Sequence, residues 1–162
     1  MKPKKLSTPK IRKSRIVIKT SAIHGKGVFV AKKINKGAAI VEYKGERISW
    51  KKAESRHPHD PNQPNHTFYF SLEDGRVIDA KKGGNAARWI NHSCKPNCVT
   101  REAVFGGTPK VFVYAKRNLK AGEELFYDYS LEIEGRITKQ MKKDYLCLCG
   151  AKKCRGTMLA PK

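Results

Sequence analysis

Arg88-Trp89-Ile90-Asn91-His92-Ser93-Cys94-Lys95-Pro96-Asn97-Cys98 is the stretch whose reading decides the fold. It holds an arginine, an indole, an Asn-His pair and two of the five cysteines, with a Pro-Asn turn between the thiols. Asn, Pro and Ser favour turns and caps, so little of it suits a plain helix or strand. Polar and ligand-type side chains at this density mark a site.

Upstream, G-G-N-A-A-R-W-I (83–90) reads as a short helix or turn that delivers the stretch. Before it, T-F-Y-F-S-L and R-V-I-D-A flank the turn Glu73-Asp74-Gly75, which predicts a hairpin. Residues 57–66, H-P-H-D-P-N-Q-P-N-H, are too proline-rich for a regular element, and such a loop does not fix its three histidines as metal ligands. The run A-A-I-V-E-Y-K-G-E-R-I-S (38–49) alternates around a Lys-Gly turn and predicts a strand pair with Tyr43 at its edge, followed by one helical turn over 50–56. At the start, R-I-V-I-K-T is a β-branched strand joined through Gly25-Lys26-Gly27 to a second. Downstream, V-F-V-Y-A-K-R and E-E-L-F-Y-D-Y-S read as strands, and 138–145 as a helix. The chain is therefore expected to be mostly β, made of short strands and turns.

A chain of 162 residues supports one core. Its 35 Lys and Arg against 14 Asp and Glu, a net charge of +21, imply attraction to polyanions. No run of apolar residues is long enough for a membrane span, and the basic N-terminus has no apolar segment behind it, so neither a membrane partner nor a secretory route is expected. The expected setting is intracellular. Residues 1–14 form a basic arm, expected to be flexible and to contact nucleic acid, with simple solvation as the alternative. The body spans 15–131, and 132–162 hold a connecting helix and a cysteine tail.

Cys147, Cys149 and Cys154 sit in C-L-C-G-A-K-K-C, poor spacing for disulfides and good spacing for metal. Structural zinc takes four ligands, so one comes from elsewhere: Cys94, Cys98 or a histidine. The tail has too little apolar content to fold alone, and metal binding would supply its folding energy.

Five ordered segments now carry a resemblance: H-G-K-G-V-F, E-Y-K-G-E, R-W-I-N-H-S-C-K-P-N, E-E-L-F-Y-D-Y and C-L-C-G-A-K-K-C-R-G-T-M. Together, over roughly 15–159, the chain resembles SET-domain protein-lysine methyltransferases with a post-SET zinc tail, most like the short single-domain bacterial members. The resemblance implies several short twisted sheets, a C-terminal segment threaded as a pseudoknot past Arg88 and Asn91, and a zinc-bound tail. It implies S-adenosylmethionine as methyl donor, contacted by Lys26, Gly27, Phe68, Arg88, Asn91 and His92, with Leu148 over the adenine. It selects Cys94 as the fourth ligand of one structural zinc with Cys147, Cys149 and Cys154, and leaves Cys98 without a role. Tyr129 is then the tyrosine beside the reacting methyl, Tyr43 lines the lysine channel, and Tyr127 occupies the position that limits methylation to one or two groups.

The implied substrate is a lysine in a basic protein, whether histone, nucleoid, ribosomal or host, acted on by a monomer or homodimer. A protein of this charge should repel such a target, and the run without bases between Lys120 and Arg136 offers a local answer. There Glu123, Glu124, Asp128, Glu132 and Glu134 would line the substrate groove. Trp89 stands where the family commonly has Phe, and a cysteine-rich pre-SET region is absent. The rival reading is a non-catalytic SET-fold module that binds nucleic acid or chromatin.

Overall fold

The structure, a computed structural model, describes residues 6–56, 68–133 and 135–161. In chain order the elements are β1 Ile16–Thr20, β2 Lys26–Val30, β3 Ala39–Glu42, β4 Glu46–Ile48, α1 Trp50–Arg56, β5 Tyr69–Ser71, β6 Val77–Asp79, a 3-10 turn Ala86–Trp89, β7 Asn91–His92, β8 Cys98–Phe105, β9 Thr108–Ala115, β10 Phe126–Tyr127 and α2 Lys139–Asp144. The protein is mostly β, as expected from its many β-branched and aromatic residues in short runs.

Two local hairpins form as read. β1 and β2 pair antiparallel with Ile16 opposite Val30, and the intervening turn closes through Ser21 N–H donating to the Gly25 carbonyl at 2.7 Å. β5 and β6 pair antiparallel across Glu73-Asp74-Gly75. The helix after β10 also agrees: the Thr138 hydroxyl caps it by accepting from Met141 N–H at 3.1 Å, and Lys142 and Lys143 occupy its last turn, where the helix dipole favours cations.

The pair expected over 38–49 does not exist. β3 joins β9 in the three-stranded order β3-β9-β8, whereas β4 joins β6 in the order β4-β6-β5. The Tyr43-Lys44-Gly45 segment is a crossing between sheets, anchored by Tyr43 N–H on the Val111 carbonyl at 2.8 Å. Tyr43 is consequently buried in the core and not at a sheet edge. Gly45 suits the crossing because any side chain there would collide with the Asp79 backbone. β8 is an additional long strand, joined to β9 through Gly106-Gly107. β10 is only two residues long, so most of 123–130 is held by means other than a regular ladder.

Val28, Ile40, Ile78, Ile90, Val113 and Leu125 meet in one core between the sheets. A smaller cluster of Ile48, Ala53 and Val77 seats α1 on the β4–β6 pair. There Arg56 reaches back to Glu46 at 2.8 Å and Asp79 at 3.2 Å. The loop histidines 57, 59 and 66 and the first five residues of the arm lie outside the described residues. Residues 6–14 form neither helix nor strand.

Candidate active site

The segment 124–129 has little ladder of its own and is gripped from both sides. Glu124 bridges to Phe29 of β2, while Phe126 and Tyr127 pair in parallel with Asn91 and His92. Asn97 extends this second side with its side chain: Nδ2 donates to the Glu124 carbonyl and Oδ1 accepts from Phe126 N–H, each at 2.8 Å. A side-chain amide thus mimics a neighbouring strand. The 88–98 stretch is the cradle of this segment on that side.

Tyr43, Tyr127 and Tyr129, which come from two distant parts of the chain, line one cavity of about 670 Å³. The Tyr127 and Tyr129 rings lie 4.9 Å apart, and Phe70 lies 5.2 Å from Tyr43 and 6.3 Å from Tyr127. Tyr129 is fixed at both ends, its hydroxyl donating to the Ile90 carbonyl and its N–H to His92 Nδ1 at 2.9 Å. Burial raises the pKa of all three phenols, and neighbouring tyrosines or, for Tyr129, the Glu124 carboxylate push further in the same direction. The tyrosine part of the wall therefore presents neutral hydroxyls at physiological pH.

A second group adjoins it around Trp89. Lys26 Nζ lies 4.8 Å from the indole centroid, the Arg88 guanidinium 4.9 Å, and the Phe68 ring 5.1 Å away edge-on. Arg88 also lines the tyrosine cavity, so it joins the two spaces. Its Nε is buried and has no hydrogen-bond partner among the described residues, an unmet donor beside a second cation. Two cations, an orphan donor and two aromatic faces suit a ligand with a carboxylate and a flat ring.

Asn91 and Gly27 meet at Glu124. The Asn91 amide donates to the Lys26 carbonyl and to Glu124 Oε1, both at 3.0 Å, and Ser21 Oγ donates to Glu124 Oε2 at 3.0 Å. A side chain at Gly27 would run into the Glu124 carboxylate. To admit one, the Glu124 side chain would have to move and give up its bonds to Ser21 and Asn91.

His92 is buried, and this lowers its pKa to about 4 despite the Asp128 carboxylate 3.6 Å away. The neutral ring accepts at Nδ1 from Tyr129, which leaves its proton on Nε2, 3.4 Å from Cys94 Sγ. Asp128 itself is gripped by Arg155 through two bonds of 2.8 and 3.0 Å. Burial would raise the Asp128 carboxyl, but the guanidinium and the Ser130 N–H hold it below the usual range.

Cys94, Cys147, Cys149 and Cys154 bring four sulfurs within 4.8 Å of one another. The separations from Cys94 of 3.7 Å to Cys147 and 3.9 Å to Cys154 match the edge of a tetrahedron with zinc–sulfur bonds, about 3.8 Å. Cys98 is 1% exposed at the start of β8, and burial pushes its thiol up to about 12. It is a core residue. Leu148 stands out from the cysteine loop, 54% exposed.

The acidic run behaves differently from its linear reading. Glu123 pairs with Arg117 at 2.8 Å, Asp128 with Arg155, and Glu124 is held by Ser21 and Asn91. Glu134 lies outside the described residues. Of the four described acids of this run only Glu132 lines the cavity, joined there by Glu54 and Glu73. Sequence reasoning missed Trp89 as a hub, Asn97 as a clamp and Arg155 as a tether. Each had a signal: Trp89 and Asn97 lie in the 88–98 stretch, and Arg155 directly follows Cys154.

Fold and site together define a SET domain, and the chain belongs to that family: the SET domain pattern matches residues 25–130. Histone-lysine N-methyltransferase trr of Drosophila melanogaster is 37% identical over 146 residues, covering 90% of this chain and 6% of that protein. Histone-lysine N-methyltransferase, H3 lysine-4 specific, of Saccharomyces cerevisiae is 39% identical over 146 residues, covering 90% of this chain and 13% of that protein. Histone-lysine N-methyltransferase 2B of Homo sapiens is 38% identical over 146 residues, covering 90% of this chain and 5% of that protein. The chain thus spans a small part of each of these relatives. Among the described residues no helix is long and apolar enough to cross a membrane.

Proposed function

We propose that the protein is a protein-lysine N-methyltransferase that uses S-adenosylmethionine and acts on a basic protein of the histone class, wherever such proteins coat DNA. The observation that carries this reading is the junction at Arg88, where the tyrosine cavity adjoins the Lys26, Trp89 and Phe68 cluster. Kinship with histone-lysine methyltransferases supports it.

S-adenosylmethionine supplies a methyl group already activated on a sulfonium. Arg88 and Lys26 would hold its carboxylate, Phe68 and Trp89 would pack its ring system, and Leu148 would close over the adenine. Gly27, Asn91 and His92 would border it from the β1–β2 turn and β7. On the other side Tyr43, Tyr127 and Tyr129 would receive the target lysine. Its amine must be neutral to attack, and a free lysine near pKa 10.4 is almost wholly charged. Desolvation between buried rings lowers that value. The raised phenols are poor bases, so the proton passes to water and the hydroxyls orient the amine. Tyr127 fills space that further methyls would need, which limits the product to mono- or dimethyl-lysine. Glu54, Glu73 and Glu132 would draw basic residues flanking the target despite the overall charge. Cys94, Cys147, Cys149 and Cys154 would hold one zinc and so fix Leu148 in place.

The test is transfer of labelled methyl to histones and other basic proteins, read by mass spectrometry. Tyr129→Phe should lower the rate roughly a hundredfold with cofactor affinity unchanged in calorimetry, because it frees a positioned ring. Tyr127→Phe should shift the product to trimethyl-lysine. Cofactor binding with no methylated lysine in any basic protein would favour the rival, a non-catalytic module.

A further inference from the structure

We propose that a basic face outside the tyrosine cavity is a docking face for the phosphate backbone of duplex DNA. The face is built from residues 31–37, which follow β2, and 116–122, which follow β9. These loops interlock: Ile34 and Leu119 form a bridge, Lys36 N–H donates to Asn118 Oδ1 at 2.8 Å, and Gly37 N–H donates to the Ala115 carbonyl at 2.8 Å. The basic arm enters at the same place, since Ala31 N–H donates to the Arg15 carbonyl at 2.7 Å.

The charge of this face is one-sided. The first acidic residue of the whole chain is Glu42, and twelve Lys and Arg precede it. Lys32, Lys33, Lys36, Lys116, Arg117 and Lys120 are all exposed, and neither loop contains an acid. Glu123, which follows the second loop, is already paired with Arg117. Bringing cations together in this way costs free energy through self-repulsion, and a polyanion relieves it by replacing the condensed counterions of its own backbone.

The chemistry of the face selects among polyanions. Its large apolar residues, Ile34 and Leu119, are fully buried, and only the small Ala31 and Ala121 are exposed, which is too little to enter a bilayer. Neither loop has an aromatic residue on which unpaired bases could stack, which disfavours single strands. Lysine dominates over arginine, giving point charges suited to phosphate without base readout. Preference for DNA over duplex RNA rests on the proposed function, because histone-class substrates lie on DNA. None of the six cations lines the tyrosine cavity. DNA and a protein substrate can therefore be held at once, and the duplex would bring the enzyme to targets that its charge repels.

Binding is read by fluorescence anisotropy with a labelled duplex of about two helical turns, across a range of salt concentrations. Replacing Lys32, Lys33, Lys36, Lys116 and Lys120 by Gln should raise Kd at least about tenfold and flatten the slope of log Kd against log salt by about four. Replacing the exposed Lys51, Lys81, Lys82, Lys139 and Lys142 by Gln removes the same charge elsewhere and should change Kd less than about threefold. Equal losses in the two variants would overturn the assignment, as would unchanged binding in the first. So would tighter binding of the native protein to single strands, duplex RNA or anionic vesicles. Thermal melting of both variants checks folding, and methyl transfer to a free peptide is measured separately, so failure of DNA binding and failure of the methyltransferase reading are distinguishable.

Discussion

The β3-β9-β8 sheet and the tail from Tyr145 to Ala160 are held together by different physics. In the sheet, β8 and β9 pair over eight residues each, and Val111, Val113 and Ala115 bury one face in the core. The tail makes only two isolated bridges, Leu131 to Leu159 and Leu146 to Thr157, and leaves Leu146 and Leu148 more than half exposed. Four thiols and the Arg155–Asp128 pair do what apolar burial does elsewhere. The sheet is held chiefly by hydrophobic burial, whereas the tail buries Leu159 and adds one charge pair and a thiol cluster that could hold a metal. The tyrosine cavity takes Tyr145 and Met158 from the tail and none of its lining from the strands of this sheet.

The largest effect should come from the metal. Zinc sites of this type contribute on the order of 10 kcal/mol, so chelation or Cys147→Ser should open the tail while amides of β8 and β9 keep their hydrogen-exchange protection. Protection lost equally in both regions would break the contrast. Next, Ile40→Ala removes a buried side chain from β3 and should cost about 2–5 kcal/mol in urea unfolding, while leaving zinc content at about one per chain. A smaller change, about 1–2 kcal/mol, is expected for Arg155→Lys, which replaces a two-bond grip on Asp128 by a single one. It should appear as faster exchange at Tyr129 and in 157–160 only.

The smallest effect is with pH. Tyr43, Tyr127 and Tyr129 have pKa values raised in the folded state above the unfolded value of about 10. Their contribution to stability is complete below that value and is lost as pH rises toward the folded pKa. Phenolate absorbance from these three should therefore appear together with alkaline unfolding, and not before it.

Local pairings were legible in the sequence because their signals lie within a few residues: β1 with β2, β5 with β6, and α2 with its Thr138 cap. The division of β3 and β4 between sheets was not, because it depends on Tyr43 meeting Val111 across the chain. β8 had a readable signal in Gly106-Gly107 and the strand after it, but the polar Thr100, Arg101 and Glu102 mask its alternation. The candidate site residues came from the family resemblance; the structure brings Tyr43, Tyr127 and Tyr129 to one cavity and sets Lys26, Arg88 and Phe68 around Trp89. What linear reading missed was electrostatic: Glu123 and Asp128 are free in the sequence yet paired in space with Arg117 and Arg155.

Placing Cys98 in the core while the other four thiols share one cluster gives the protein a three-level chemical gauge of its own state. With the cluster loaded, an alkylating reagent finds no open sulfur. With the tail released it finds four, and all five only once the sheets come apart. Label stoichiometry alone would then separate a detached tail from an unfolded body, on the intact chain and without an added probe.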